Sequence, residues 1–314
     1  MQPTQFSSGD VIADRRADYA RMLAESGDPA AAAELMEQAL ELAPGWAAGW
    51  LRFAEYLEKA GNGDGAITAL RKVQELDHEE IFGARLKLAL LGAIDVPDQP
   101  PSRYVEALFD DYADRFETAL VERLDYSVPE KLSALLKRYR GEGGPFRLAI
   151  DLGCGTGLFG VEIRSLVERL EGFDLSVNML AKAEEKGVYD FLARADLSLD
   201  AEGSGLFVDR LLPHRADLLT AADVLMYLGD LEAPFSLVSK LSDPGAYFAF
   251  SVEDAGSDDG FHLAPSLRYA HSETHVRTRL AAAGFEVADL ERTVIRMDGG
   301  KPVSGILFIA VRKG

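Results

Sequence analysis

The sequence predicts an α/β chain in which a doubly wound, mostly parallel sheet follows an all-α segment of helical repeats. Three observations carry this prediction. Residues 146–174 run strand, glycine-rich turn, helix, strand. Residues 11–94 are alanine-rich, helical in period and self-similar at a shift of 34 residues. Two strand-like runs, 285–296 and 302–312, flank Asp298-Gly-Gly300, a hairpin signal.

In the strand–turn–helix unit, Phe146, Leu148, Ala149 and Ile150 form a short apolar run. It is bounded by Gly-Pro before and glycines after, as a buried parallel strand is. Asp151 ends it. Gly153, Gly155 and Gly157 then make a turn where the backbone comes close to something bulky, because glycine lacks a Cβ and tolerates positive φ. Leu158, Val161, Leu166 and Leu170 recur at helical spacing, which predicts a helix over 158–170. Its free N–H groups and dipole would face the occupant of the turn. A second short strand, 170–173, ends in Asp174. That acid lies 17 residues after Gly157, where a β-α-β unit places a carboxylate to accept from two ribose hydroxyls.

Asp151-Leu-Gly-Cys-Gly-Thr-Gly157, followed by Phe173-Asp-Leu-Ser-Val-Asn-Met-Leu-Ala-Lys-Ala183, closely resembles the first two motifs of the class I S-adenosylmethionine-dependent methyltransferases. The resemblance extends over about residues 104–314. It implies a Rossmann-like, doubly wound, seven-stranded methyltransferase sheet with an antiparallel last strand. It also implies S-adenosylmethionine as cofactor, with S-adenosylhomocysteine as product. Gly155-x-Gly157-x-x-Gly160 fits a dinucleotide fingerprint as well, but a glycine pattern alone is weak. Asp151 favours the methyltransferase, because an acid there suits the cationic methionine end of the cofactor and repels a pyrophosphate. The C-terminal hairpin favours it too.

The N-terminal repeat aligns Tyr19 with Phe53, Ala20 with Ala54, Leu23 with Leu57, Gly27 with Gly61 and Ala32 with Ala66. A period of 34 with small residues at helix crossings is the tetratricopeptide signature. Two helix pairs are expected, 11–43 and 46–77, then a closing helix from Glu79 to Leu91. The first pair departs from the pattern at Arg16, where the second has Trp50. Such repeats stack into a concave surface that binds extended peptides, or they brace a neighbouring domain; the sequence supports both equally. The domain division expected is a helical-repeat domain at 1–95, a Pro-rich linker at 96–102 and a methyltransferase domain at 103–314. Pro97, Pro100 and Pro101 stiffen the linker.

Residues 103–140 resemble the helical cap that many small-molecule methyltransferases fold over the cofactor. Tyr104, Phe109, Tyr112 and Phe116 cover a ligand there or fill a core, and the resemblance makes Tyr112 the cofactor contact. It further places Gly153, Cys154, Gly155 and Gly157 around the methionine end, and Leu175 and Met179 beside the ribose-binding Asp174. Asp196 and Leu197, after a third strand at 191–195, are adenine-site candidates; an ordinary Asx turn is the plainer reading of Asp196. A fourth strand, 217–221, leads to Ala222, Asp223, Val224 and Tyr227. These lie beyond a strand's carboxyl end, where open α/β sheets bind ligands. Neither Asn-Pro-Pro-Tyr nor Asp-Pro-Pro-Tyr occurs there, which counts against base and release-factor-type glutamine N-methylation. Cys154 reads as structural.

Asp243-Pro-Gly245 predicts a turn and Tyr247–Ser251 a fifth strand running to Glu253. The Gly/Ser/Asp-rich loop 254–260 follows, then a stretch dense in Arg, Tyr and His. His271 is the best candidate base, since imidazole titrates near pH ~6.5; Glu253 is the alternative. Tyr269 and Arg268 are placed to orient or bind an anionic group. His271 reads equally as a surface or helix N-terminal residue ahead of Ser272, and His271 with His275 has no third ligand in sequence that would make a metal site.

Composition bounds the function. The net charge of −19 repels nucleic acid and anionic membrane. A single cysteine excludes an internal disulfide and agrees with a reducing compartment. No signal peptide pattern is visible, and no run of roughly 18 apolar residues marks a membrane span. The expectation is a cytoplasmic methyltransferase acting on a small-molecule or peptide substrate, with a protein partner possible in the repeat groove. A catalytically silent cofactor-binding scaffold working through its repeats is the alternative.

Overall fold

Side-chain caps open three of the N-terminal helices in the computed structural model, which describes residues 7–113, 126–208, 211–256 and 260–313. The chain divides into two compact units, Met1–Pro97 and Asp98–Gly314. The first contains α1 (Val11–Glu25), α2 (Pro29–Leu42), α3 (Ala47–Lys59), α4 (Gly63–Leu76) and α5 (Ala84–Leu90). Asp10 accepts from the Ile12 and Ala13 N–H groups. Asp28 accepts from Ala31 N–H, and Asn62, one repeat later, from Gly65 N–H. Such caps satisfy helix-terminal donors that have no intrahelical partner.

Alanines pack the crossings of these helices, with Ala17, Ala20, Ala32, Ala39, Ala66 and Ala69 all buried. At Gly49 an added Cβ would lie 2.3 Å from Trp46 Cε3, so α3 can approach that indole only through glycine. Arg16, at the position of Trp50 in the repeat, donates to Gln38 O instead. The closing helix is shorter than the expected 79–91. Asp77 accepts from Phe82 N–H, and Gly83 takes a left-handed conformation, so the chain turns before α5 begins.

The second unit contains α6 (Ser102–Tyr112), α7 (Val128–Arg140), α8 (Leu158–Ile163), α9 (Val177–Glu185), α10 (Glu232–Leu241) and α11 (Glu273–Ala282). Its strands are β1 (Phe146–Leu152), β2 (Val167–Asp174), β3 (Phe191–Arg194), β4 (Ala216–Ala221), β5 (Ser242–Asp254), β6 (Phe261–Leu263), β7 (Tyr269–His271), β8 (Phe285–Asp298) and β9 (Lys301–Arg312). β3, β2, β1, β4 and β5 lie side by side and parallel. β9 then runs antiparallel between β5 and β8. β6 and β7 form a small hairpin that the sequence does not signal, which gives nine strands among the described residues where seven are expected. Glu253 pairs with Gly305 on one edge and with Ala270 on the other, so β7 joins β5 beyond the end of β4.

Two expected boundaries move. The helix after the glycine turn ends at Ile163 and not at Leu170, because Val167–Leu170 is drawn into the parallel ladder from Phe146↔Val167 onward. Asp243-Pro-Gly245 lies inside β5 as an irregularity, with the register moving from Ala216↔Ser242 to Leu218↔Tyr247.

Each sheet face buries its own core. Phe248, Phe250, Phe308 and Ala310 point to one, and Ala249, Leu307 and Ile309 to the other. Both faces being covered explains the near-continuous apolar runs of the central strands. No described helix is long and apolar enough to cross a membrane. Phe308 is fully buried against Phe250, with ring centroids 5.0 Å apart. Phe308→Ala is expected to destabilise the second unit by about 3–5 kcal/mol, read as a lowered urea midpoint.

Candidate active site

Gly153, Gly155 and Gly157 all have positive φ, at 65°, 53° and 88°. Their surroundings differ. A Cβ on Gly153 would lie 2.4 Å from Val224 Cγ2, so this glycine lets β1 pass the loop after β4. At Gly155 an added Cβ would meet nothing within 4 Å, which leaves backbone open to space. That space is a cavity of about 380 Å³ at the carboxyl ends of β1, β2, β3 and β4.

Asp151 is 1% exposed, yet it lines the cavity. Its Oδ1 accepts from Thr220 Oγ1 at 2.6 Å and its Oδ2 from Tyr189 Oη at 2.7 Å. Burial raises its carboxyl to about 6 against the opposing pull of those two hydrogen bonds. Tyr189 also explains several glycines. A Cβ on Gly160 would sit 2.3 Å from Tyr189 Oη, one on Gly172 2.8 Å from its ring, and one on Gly157 3.0 Å from it. The third glycine of the dinucleotide-like pattern therefore makes room for a tyrosine.

Asp174 closes the other side of the turn. Its carboxylate accepts from Gly155 N–H at 2.8 Å and Ser176 N–H at 2.9 Å, and burial raises it to about 6 as well. Thr156 is 2% exposed, lines the cavity, and its hydroxyl has no hydrogen-bond partner. A buried orphan hydroxyl in a cavity lined also by two carboxylates fits a polar ligand carrying positive charge. Asp196 and Leu197 line the cavity beyond β3; Asp196 accepts from the N–H and hydroxyl of Ser198, so it forms an Asx turn there.

The loop after β4 supplies Ala222, Asp223 and Tyr227. Asp223 has φ 58°, uncommon for a residue with a side chain. Its N–H donates to Ser251 Oγ at 2.8 Å, and its carboxylate takes both Nη1 donors of Arg296, at 2.7 and 2.8 Å. Burial pushes the Asp223 carboxyl up while Arg296 pulls it down. Tyr227 packs edge-on to Phe109, with centroids 5.0 Å apart.

Of the residues expected from sequence, the cavity brings together Asp151, Gly153, Cys154, Gly155, Asp174, Leu175, Asp196, Leu197, Ala222, Asp223 and Tyr227. Gly157 caps α8, and Met179 is fully buried in α9; neither lines it. The Tyr112 side chain lies outside the described residues, as does Phe116. The candidate bases His271 and Glu253, and Tyr269 with them, stand off the cavity. His271 is fully buried, with Nε2 within 3.0 Å of Leu228 O and 2.9 Å of Gly229 O. Burial lowers its pKa to about 4, so it stays neutral and anchors the loop that carries Tyr227. Tyr269 is fully buried beside Phe261. Glu253 is held by Arg268 Nε at 2.7 Å and by Arg296 Nη2.

Thr156, Tyr189 and Arg296 were missed. Thr156 stands inside the Asp151–Gly157 motif, where its hydroxyl is the local signal. Tyr189 and Arg296 carry no local signal, since only the folded sheet brings them to Asp151 and Asp223. Among the described residues no group of three or more His, Cys, Asp and Glu could hold a metal ion.

A family model described as methyltransferase domain matches residues 124–290, and one described as tetratricopeptide repeat matches residues 23–89. Among solved structures, the chain is similar to magnesium protoporphyrin IX methyltransferase from Synechocystis PCC 6803 with bound SAH. The TM-score is 0.50 at 19% identity, over 68% of this chain and 99% of that one. It is also similar to a chain from the complex between the Haloferax volcanii Trm112 methyltransferase activator and a methyltransferase. There the TM-score is 0.50 at 16% identity, over 66% and 98% of the two chains. At these identities the likeness is one of fold. No curated protein matches the sequence.

The raised carboxyl of Asp151 has a consequence for stability. An exposed aspartate titrates near ~3.9, so between about pH 4 and about 6 the folded chain binds the proton that the unfolded chain has lost. Stability from this group is greatest below that window and falls as pH rises through it. Asp151→Asn is therefore expected to flatten this fall and to stabilise the ligand-free protein at pH ~7.5 by about 1–3 kcal/mol. Urea unfolding at a series of pH values checks this, and an unchanged pH profile would refute the desolvated-carboxylate account.

Proposed function

The chain belongs to the methyltransferase-domain family, and from that membership we propose that it transfers a methyl group from S-adenosylmethionine to a small-molecule or peptide acceptor. The observation that carries the reading is an open Gly155 backbone and an orphan Thr156 hydroxyl lining the same cavity as the carboxylates of Asp151 and Asp174. Bound there, S-adenosylmethionine supplies an electrophilic methyl group on a sulfonium.

The chain's own residues divide the work. Asp151 and Thr156 receive the methionine end, where a negative field and a free hydroxyl meet an ammonium and a carboxylate. Asp174 keeps lone pairs beyond those used by Gly155 and Ser176, and these accept from the ribose hydroxyls. Asp196 and Leu197 border the adenine. Ala222, Asp223 and Tyr227 face the transferring methyl. Methyl transfer is an in-line displacement, so alignment is the main contribution such a site makes. Tyr189 supports this reading over a dinucleotide one, because it accounts for Gly160 by packing. The helical repeats offer a surface for a protein partner.

Calorimetric titration with S-adenosylhomocysteine, with NAD as control, is expected to give micromolar binding of the first and none of the second. Asp174→Ala should weaken that binding by about 1–3 kcal/mol through loss of charge-assisted hydrogen bonds. Unchanged affinity in the folded variant would remove Asp174 from the site.

A further inference from the structure

The cavity is electrically polarised along the sheet. Asp151, Asp174 and Asp196 line it from the ends of β1, β2 and the segment after β3. Arg268 and Arg296 line it from the opposite side, where the strand order continues through β5 and β9 to β8. Acids thus gather where the methyl-transfer reading puts a cation, and guanidinium groups gather where it leaves room for the acceptor.

The two arginines are not equivalent. Arg296, with a side chain 4% exposed, spends Nη1 on both oxygens of Asp223 and Nη2 on Glu253. Arg268 donates from Nε to Glu253 at 2.7 Å and from Nη2 to Asp298 at 2.6 Å. A guanidinium has five N–H donors, and among the described residues the Nη1 of Arg268 has no hydrogen-bond partner. It is not a buried orphan either. The buried charges balance, since Asp223 and Glu253 offset Arg268 and Arg296; Asp298 is 48% exposed and so is screened by solvent. An incoming anion would therefore meet free guanidinium N–H groups without a buried excess of negative charge. Tyr104, Tyr227 and Ser266 line the same end and offer hydroxyls and aromatic faces.

We infer that the methyl acceptor is a carboxylate-bearing molecule with an aromatic or aliphatic body, and that Arg268 Nη1 holds its carboxylate. This rests on the methyl-transfer reading, and it names the acceptor class for that cavity. Nη1 carries two N–H donors, and a charge-assisted hydrogen bond to a carboxylate is stronger than one to a neutral amide.

The test uses the full chain saturated with S-adenosylhomocysteine. Acetate, benzoate and phenylacetate are titrated calorimetrically beside acetamide, benzamide and phenylacetamide. At least one aromatic carboxylate is expected to bind about tenfold or more tighter than its amide. Arg268→Gln should erase that preference while S-adenosylhomocysteine affinity stays within about threefold. Arg268→Lys, which keeps the charge and loses the fork, should retain part of it, and it serves should the glutamine variant not fold. Equal binding of carboxylates and amides, or a preference that survives in Arg268→Gln, overturns the assignment. Binding of S-adenosylhomocysteine with no carboxylate preference overturns this inference alone; failure of S-adenosylhomocysteine to bind overturns the cofactor reading together with it.

Discussion

The hydrogen bond from Tyr189 to Asp151 is the constraint around which the first half of the sheet is arranged. It ties the segment before β3 to the end of β1, and the Tyr189 ring leaves no room for a side chain at Gly160 or Gly172 and little at Gly157. Thr220 on β4 completes the hold from the other side. A carboxylate fixed by neighbours on both sides cannot rotate away from the cavity. Its direction is set by the sheet and does not await a ligand. The same geometry makes the glycine turn specific. Gly153 yields to Val224 and Gly157 to Tyr189, which leaves Gly155 as the glycine of the turn whose bare backbone faces open space.

The second half of the sheet uses charge where the first uses glycine. Asp223, Arg296, Glu253 and Arg268 form a chain of ion pairs in which each buried charge has an opposite neighbour. Isolated buried charges are costly, and paired, hydrogen-bonded ones are tolerated. The chain links the loop after β4 to β5 and β8, and Arg268 brings in the segment ahead of β7. It therefore fixes the end of the cavity opposite the glycine turn. The positive φ of Asp223 belongs here: the Arg296 fork and the Ser251 hydroxyl together hold a conformation that its backbone would otherwise resist.

Much of this was legible in the sequence, for local reasons. The glycine turn, the acid after β2 and the hairpin about Gly299-Gly300 each follow from backbone rules that act over a few residues. The repeat was legible because Asp28 and Asn62 cap equivalent helices and alanines recur at equivalent crossings. The candidate catalytic residues His271, Tyr269 and Glu253 stand off the cavity for the converse reason. His271 and Tyr269 belong to β7, a three-residue strand with too little periodicity to be seen, and its pairing with Glu253 and Asp254 turns them into the interior. Glu253 resembles a free carboxylate only until Arg296, 43 residues later, is brought beside it. Local chemistry is written in short spacings, whereas ion pairs and short strands are decided by the sheet.

Asp151 and Asp174 together show why such a site is built from buried acids. Each is raised to about 6 by desolvation. At neutral pH both are therefore ionised against an opposing cost, of order 3 kcal/mol apiece for a shift of about two pKa units. The cost is lowest for the ligand-free protein when the groups are protonated, and it is offset when positive charge enters the cavity. A cationic ligand thus gains from relieving charge the fold has already desolvated, and a neutral or anionic one does not. On the proposed reading the two ends work differently: the acid end holds charge that a cation relieves, whereas the Arg268 end, its buried charges already paired, offers N–H donors to an anion.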